Sequence, residues 1–133
     1  MNSQSKEIMT GGPDTYRSLL PAIFNIFRCW QLTDAQQMFL LGAPTEKVLY
    51  SWKGEPEKAK LTQDTLEHAS YILGIYRSLQ ILFPQPGLAD RWLSTANDNP
   101  LFKGATPIDS VLAESIVDLA IVRNFLDAQR SGY

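Results

Sequence analysis

The chain has 133 residues, 44% of them hydrophobic and 11% aromatic, enough apolar surface for one compact domain or two small helical subdomains but too little length for a large catalytic architecture. Its net charge is −2, with seven basic and six acidic side chains in residues 1–60 against five and eight in residues 61–133. The acidic C-terminal half argues against strong nonspecific DNA affinity by a monomer and leaves room for a local basic patch.

One cysteine, Cys29, excludes an internal disulfide, and a single histidine, His68, excludes a Cys/His zinc cluster. The opening residues MNSQSKEIMTGGPD lack the apolar core of a signal peptide, and the most apolar stretch, residues 71–83, is broken by Arg77 and Gln80. A soluble cytoplasmic protein with no membrane partner is expected.

Residues 1–13 are polar, carry Gly11-Gly12-Pro13, and read as a flexible N-terminus. From Asp14 the apolar residues Leu19, Leu20, Ile23, Phe24, Phe27 and Trp30 fall at the three-and-four spacing of a buried helical face. Thr33 and Gln36 form a capping box for a second helix, with Ala35, Met38, Phe39 and Leu41 expected to face inward, and Gly42-Ala43-Pro44 stops it. A third helix over residues 45–53 places Val48, Leu49 and Trp52 on its apolar side. Two helices joined by a short Gly-containing turn are a helix-turn-helix, which assigns residues 14–61 to that domain.

Residues 62–83 read as a long connecting helix with a core stripe of Leu66, Ala69, Leu73, Tyr76, Leu79 and Phe83, widened by Ile72, Ile75 and Leu82. Gly74 in its middle costs about 1 kcal/mol relative to Ala and signals a close helix crossing. In residues 84–133, Pro84-Gln85-Pro86-Gly87 ends the long helix and a short helix follows over 88–94. An irregular loop spans 97–104, Pro107 opens another helix, and Ser115 is expected to cap the last one, with Ile116, Leu119, Ala120 and Val122 or Arg123 in its core. No strand-length alternation occurs, so the fold class is all-α.

No catalytic constellation is visible: there is no nucleophile elbow, no Gly-rich phosphate loop and no paired-histidine motif, and neither a cofactor nor a metal is implied. Glu114 and Asp118 stand at i,i+4 and suit either a cation or, more simply, the start of a helix. His68 reads as an exposed helix residue. Thr45, Lys47, Tyr50, Ser51 and Lys53, with Lys58 and Lys60 just beyond, are the candidates for operator DNA. Glu46, Glu55 and Glu57 dilute that patch, and no arginine on the third helix is available to read guanine. Near the C-terminus, Arg123, Asp127 and Arg130 offer charged groups to a partner, although Arg123 and Asp127 at i,i+4 also suit mutual pairing.

The order of residues in the last third adds to this. Trp92-Leu93, Asn97 and Asn99, Leu101-Phe102-Lys103-Gly104, Thr106-Pro107-Ile108-Asp109, Val117-Asp118-Leu119, Val122-Arg123 and Phe125-Leu126-Asp127-Ala128 stand in the sequence and order that resembles the toxin-binding domain of the Xre/MbcA/ParS antitoxins. The run from Phe27-Arg28 through Leu40-Leu41-Gly42 to Trp52-Lys53 also looks like that family's Xre-like helix-turn-helix part, and the segment 71–76 is similar to the same antitoxins. The tail Asp127-Ala128-Gln129-Arg130-Ser131-Gly132-Tyr133 is similar to the family's tail, with Ser131 in place of a Gly. Glu114-Ser115 departs from the Gly pair usual before the last helix.

The resemblance implies an Xre-like helix-turn-helix part, a long central helix and a small helical toxin-binding domain at 84–133. It further implies a noncatalytic antitoxin that binds an NAD-consuming RES-domain toxin, occludes its active site with the C-terminal helix and tail, forms a homodimer and represses its own operon. The toxin-binding residues it implies are Arg123, Asp127, Arg130, Ser131, Gly132 and Tyr133, with Asn97, Asn99 and Phe102 of the long loop behind them. The competing expectation is a dimeric helix-turn-helix transcriptional regulator with no RES toxin, which binds its operator in a salt-dependent way.

Overall fold

The computed structural model describes residues 13–113 and 117–132, with side chains from Ser18 onward. The flexible segment expected at the N-terminus lies almost entirely outside the described residues, as do Glu114, Ser115, Ile116 and Tyr133. All regular structure among the described residues is helical: α1 Pro13–Cys29, α2 Asp34–Leu41, α3 Glu46–Gly54, a 3-10 turn Pro56–Lys58, α4 Gln63–Leu82, α5 Leu88–Arg91 running into a 3-10 turn Trp92–Ser94, α6 Pro107–Leu112 and α7 Leu119–Arg130. No described helix is long and apolar enough to cross a membrane. The chain forms two compact units, residues 1–70 and 71–133, so α4 contributes its first part to one and its remainder to the other.

In the first unit α1 packs against α3 and the 3-10 turn, and α2 against α3. Leu20, Ile23 and Phe27 are fully buried on α1, Leu40 and Leu41 on α2, and Leu49 on α3, with Trp52 nearly so. The Thr33 hydroxyl accepts from Gln36 N while the Gln36 side chain accepts from Thr33 N, the capping box read from the sequence. Gly42 closes α2 at φ +77, a left-handed conformation in which its N–H reaches Met38 O.

The inward face of α2 differs from expectation. Gln37, Leu40 and Leu41 are buried, whereas Ala35 is exposed, Met38 is half-buried and Phe39 is 41% exposed. In a helix of eight residues, apolar side chains at most positions leave the phase ambiguous. A specific bond decides it: Gln37 turns inward because its Nε2 donates to Leu32 O at 3.0 Å.

A similar rotation holds along α4. Thr65, Leu66, Ala69, Ile72, Ile75, Ser78 and Leu79 are buried, while Leu73 is 36% exposed and Tyr76 and Phe83 are half-buried. The two hydroxyls enter the core because each has a partner, Thr65 Oγ1 donating to Leu41 O at 2.8 Å and Ser78 Oγ to Asp127. Left unpaired, each would cost about 1–3 kcal/mol. His68 likewise is half-buried rather than exposed, its Nδ1 2.9 Å from Leu40 O, which gives the imidazole a fixed structural partner.

In the second unit α6 packs against the 3-10 turn Trp92–Ser94. Thr106 caps α6 by accepting from Asp109 N, with Pro107 in the first turn where its missing N–H costs nothing. α7 starts three residues later than expected. Its cap is Asp118, whose carboxylate accepts from Ile121 N at 2.9 Å, a use that answers the question raised by an acidic residue at that position. Val117, Leu119, Val122 and Leu126 carry the buried face, so Val122 rather than Arg123 is the core position.

Candidate functional site

Arg123, Asp127 and Arg130 fall at i, i+4 and i+7 on one face of α7, and that face meets α4. Ser78, with no exposed surface, donates from Oγ to Asp127 Oδ1 at 3.0 Å. The Arg130 Nη1 group lies 3.4 Å from Ser78 Oγ and 4.0 Å from Asp127 Oδ1, and Arg123 Nε lies 3.6 Å from Asp127 Oδ2. The pairing of Arg123 with Asp127 is therefore present, and it extends to a third α7 residue and a buried hydroxyl. Arg123 also lies against Gly74, where an added Cβ would stand 2.5 Å from its Nε, the close crossing that a mid-helix glycine signals. Half-exposed ion pairs of this kind contribute about 0–1 kcal/mol to stability, so what they fix is chiefly orientation.

Beyond this cluster the chain turns outward. Gln129, Arg130, Ser131 and Gly132 are exposed. Ser131 N and Oγ both donate to Asp127 O, at 3.1 and 3.2 Å, and Gly132 N donates to Gln129 O at 3.2 Å with φ at +85. The end of α7 is thus a defined, solvent-facing stub carrying a guanidinium, a hydroxyl and open backbone.

The long loop is organised around one buried ring and two asparagines. Phe102 is 2% exposed, its ring in edge contact with Trp92 at 5.8 Å and with Phe125 at 5.6 Å, while Trp92 and Phe125 stack at 6.3 Å. In the free chain it is a core residue. Asn97 and Asn99 are half-buried and build the loop: Asn97 Oδ1 accepts from Asn99 N and Asn99 Oδ1 from Leu101 N, both at 2.9 Å, while Asn97 exchanges backbone bonds with Gly104 and Ala105.

On the helix-turn-helix, Thr45 caps α3 by accepting from Val48 N, and Lys47 and Ser51 are exposed. Tyr50 and Lys53 converge on a residue the sequence reading passed over. Asp34, in the first turn of α2, accepts a hydrogen bond from the Tyr50 hydroxyl and stands 3.6 Å from Lys53 Nζ, which also lies 5.3 Å from the centre of the Phe24 ring. Lys58 is held by Glu55 at 3.0 Å. Of the side chains considered for DNA, Lys47, Ser51 and Lys60 are exposed, with no such tie among the described residues. Asp34 was findable only as a first-turn acid favoured by the helix dipole, since its partners are 16 and 19 residues away.

Hydrogen bonding to Asp34 raises the Tyr50 phenol above its ordinary value of 10.0, with desolvation and the charges of Asp34 and Glu46 acting in the same direction. A raised acid pKa means that the fold favours the protonated phenol. The tie between α2 and α3 is therefore fully present below pH 10.0 and lost as pH climbs through the raised value. Asp34→Asn is expected to bring the Tyr50 titration down toward 10.0, read from tyrosinate absorbance with Tyr50→Phe as the blank. An unchanged titration would show that the contact is not held in solution.

Residues 17–74 match the family model for the antitoxin Xre-like helix-turn-helix domain, and residues 78–132 match that for the antitoxin Xre/MbcA/ParS C-terminal toxin-binding domain. A relative from Sinorhizobium fredii (strain NBRC 101917 / NGR234), described as uncharacterized protein y4oB, is 40% identical over 113 residues, covering 85% of this chain and 84% of its own. No solved structure matches the chain. With the all-α fold and both domain matches in chain order, the protein belongs to the Xre/MbcA/ParS-type antitoxins, carrying a helix-turn-helix domain and a toxin-binding domain of a toxin–antitoxin system.

Proposed function

We propose that this antitoxin neutralises an NAD-consuming RES-domain toxin by laying the end of α7 and its tail over the toxin's active-site entrance. The observation that carries this reading is the exposed stub Gln129–Gly132, which follows directly on a braced helix and falls inside the toxin-binding match that runs to residue 132. The likeness of residues 127–133 to the tail of RES antitoxins supports the choice of toxin class. In this reading Arg130 makes charge-assisted hydrogen bonds to acceptors at the toxin's mouth and Tyr133 stacks in an apolar niche, so substrate is excluded by occupancy rather than by chemistry. Arg123 and Asp127 support the stub, and Asn97 and Asn99 shape the loop beside the aromatic cluster.

The same chain acts as a homodimer that represses its own operon, with α3 in the major groove. Lys47 and Ser51 reach the DNA first, while Thr45, Tyr50 and Lys53 hold the helix's entry and its far end. Two α3 helices offset the weak affinity expected of a monomer with a net charge of −2.

The deciding experiment is co-expression with the protein encoded beside this chain, following growth and cellular NAD⁺. The expected result is NAD⁺ depletion by the partner alone, with recovery and co-purification when this chain is present. Growth arrest with intact NAD⁺ would point to another toxin class, and the absence of any complex would favour the transcriptional regulator without a toxin.

A further inference from the structure

The exposed Arg130 is not the only part of α7's end that the fold has shaped; beneath it lies a small polar device. We propose that Ser78 is a positioning residue for toxin binding, its buried hydroxyl and the Asp127 carboxylate together holding the Arg130 guanidinium in the orientation in which it meets the toxin. This rests on the reading of the α7 end as the toxin contact.

Ser78 is wholly buried on α4, in a position where an alanine would need no hydrogen-bond partner. It has two partners. Its hydroxyl has a single proton, which goes to Asp127 Oδ1 at 3.0 Å, and its oxygen remains open to the Arg130 Nη1 group at 3.4 Å. The other carboxylate oxygen is taken by Arg123 Nε at 3.6 Å.

Gly74, one turn earlier on α4, is what lets Arg123 lie close enough to do this, since a Cβ there would stand 2.5 Å from Nε and 2.9 Å from Cδ and Cζ. Two small residues at i,i+4 on α4 therefore receive two charged residues at i,i+4 on α7. Asp127 is fixed from both sides, and Arg130, one turn further on, is tethered to a rigid acceptor pair. A long arginine otherwise gives up much of its rotamer freedom when it binds. Fixing the guanidinium beforehand moves that cost from binding to folding.

The test is a double-mutant cycle on the full chain, with the toxin encoded beside it as probe, measuring the dissociation rate of the complex alongside the melting curve of the free antitoxin. Ser78→Ala is expected to speed dissociation about tenfold, a change of the size seen when a hydrogen bond to a charged group is lost. Arg130→Ala is expected to speed it at least as much, and the double variant no more than Arg130→Ala alone, because a positioning residue has nothing to position once the arginine is gone. A purely structural serine would give an effect that persists undiminished in the Arg130→Ala background, and that additivity, or an unchanged rate in Ser78→Ala, overturns the proposal.

Should Ser78→Ala fail to fold by circular dichroism, Asp127→Asn takes its place in the same cycle, removing the charge from the half-exposed end of the device while keeping its shape, and the same two outcomes decide. If Arg130→Ala and removal of the tail both leave the rate unchanged, the α7 end is not the toxin contact and this inference falls with that reading.

Discussion

Phe102→Ala is expected to destabilise the C-terminal unit by about 3–5 kcal/mol, the usual cost of truncating a fully buried aromatic side chain. The ring is 2% exposed, and it sits between Trp92 and Phe125, so its loss removes two edge contacts and leaves a cavity at the junction of the loop with α7. Small domains have only about 5–15 kcal/mol of stability in all, so this single change should bring the unit close to unfolding at growth temperature. Urea or thermal unfolding followed by tryptophan fluorescence reads it directly, because Trp92 is part of the cluster. Toxin binding should fail in proportion to unfolding. A variant that melts like the parent and yet loses the toxin would reverse the assignment and put Phe102 on the surface of contact.

That prediction also shows which parts of this molecule were legible in its sequence. Signals that involve a few neighbouring residues were read well: the Thr33 and Gln36 capping box, the left-handed stop at Gly42, Pro107 in the first turn of α6. Each depends on backbone geometry that four or five residues settle among themselves. Phase was harder, because α2 and α4 carry apolar residues on more than one face and the choice fell to single side-chain bonds outside the helix itself, Gln37 to Leu32 just before α2 and Thr65 to Leu41 on another helix. The start of α7 was misjudged for a related reason: Asp118 can serve as a cap, a ligand or a surface charge, and only the hydrogen bond from Ile121 N chooses.

At the candidate site the charges were visible and their partners were not. Arg123, Asp127 and Arg130 stand out by spacing alone, whereas Ser78 lies 49 residues before Asp127 and looks like any small residue in an apolar helix. The same holds for Asp34, whose ties to Tyr50 and Lys53 cross from one helix to the next. Phe102 was read as an interface candidate because it sits in a long loop, and long loops are often functional. Here the loop is held by asparagine side chains bonding its own backbone, which frees the phenylalanine to fill the core.

Removing Ser131 to Tyr133 is expected to abolish neutralisation of the toxin while leaving the helical fold intact. The truncation costs the fold little: it deletes the donors Ser131 N, Ser131 Oγ and Gly132 N at the exposed end of α7 and touches no buried side chain among the described residues. Arg130 keeps its tether to Ser78 and Asp127, so the variant separates what the tail does from what the brace does. If the tail fills the mouth of the toxin, its loss removes contacts at the centre of the interface, where hot spots cost about 2 kcal/mol or more each, or roughly thirtyfold in affinity and upward. Growth and NAD⁺ in cells co-expressing the toxin, set against circular dichroism of the purified variant, give the two readouts. Full neutralisation by the truncated chain would mean that the toxin is held by the flank of α7 instead, and the occlusion mechanism would have to be rebuilt around Arg123 and Arg130.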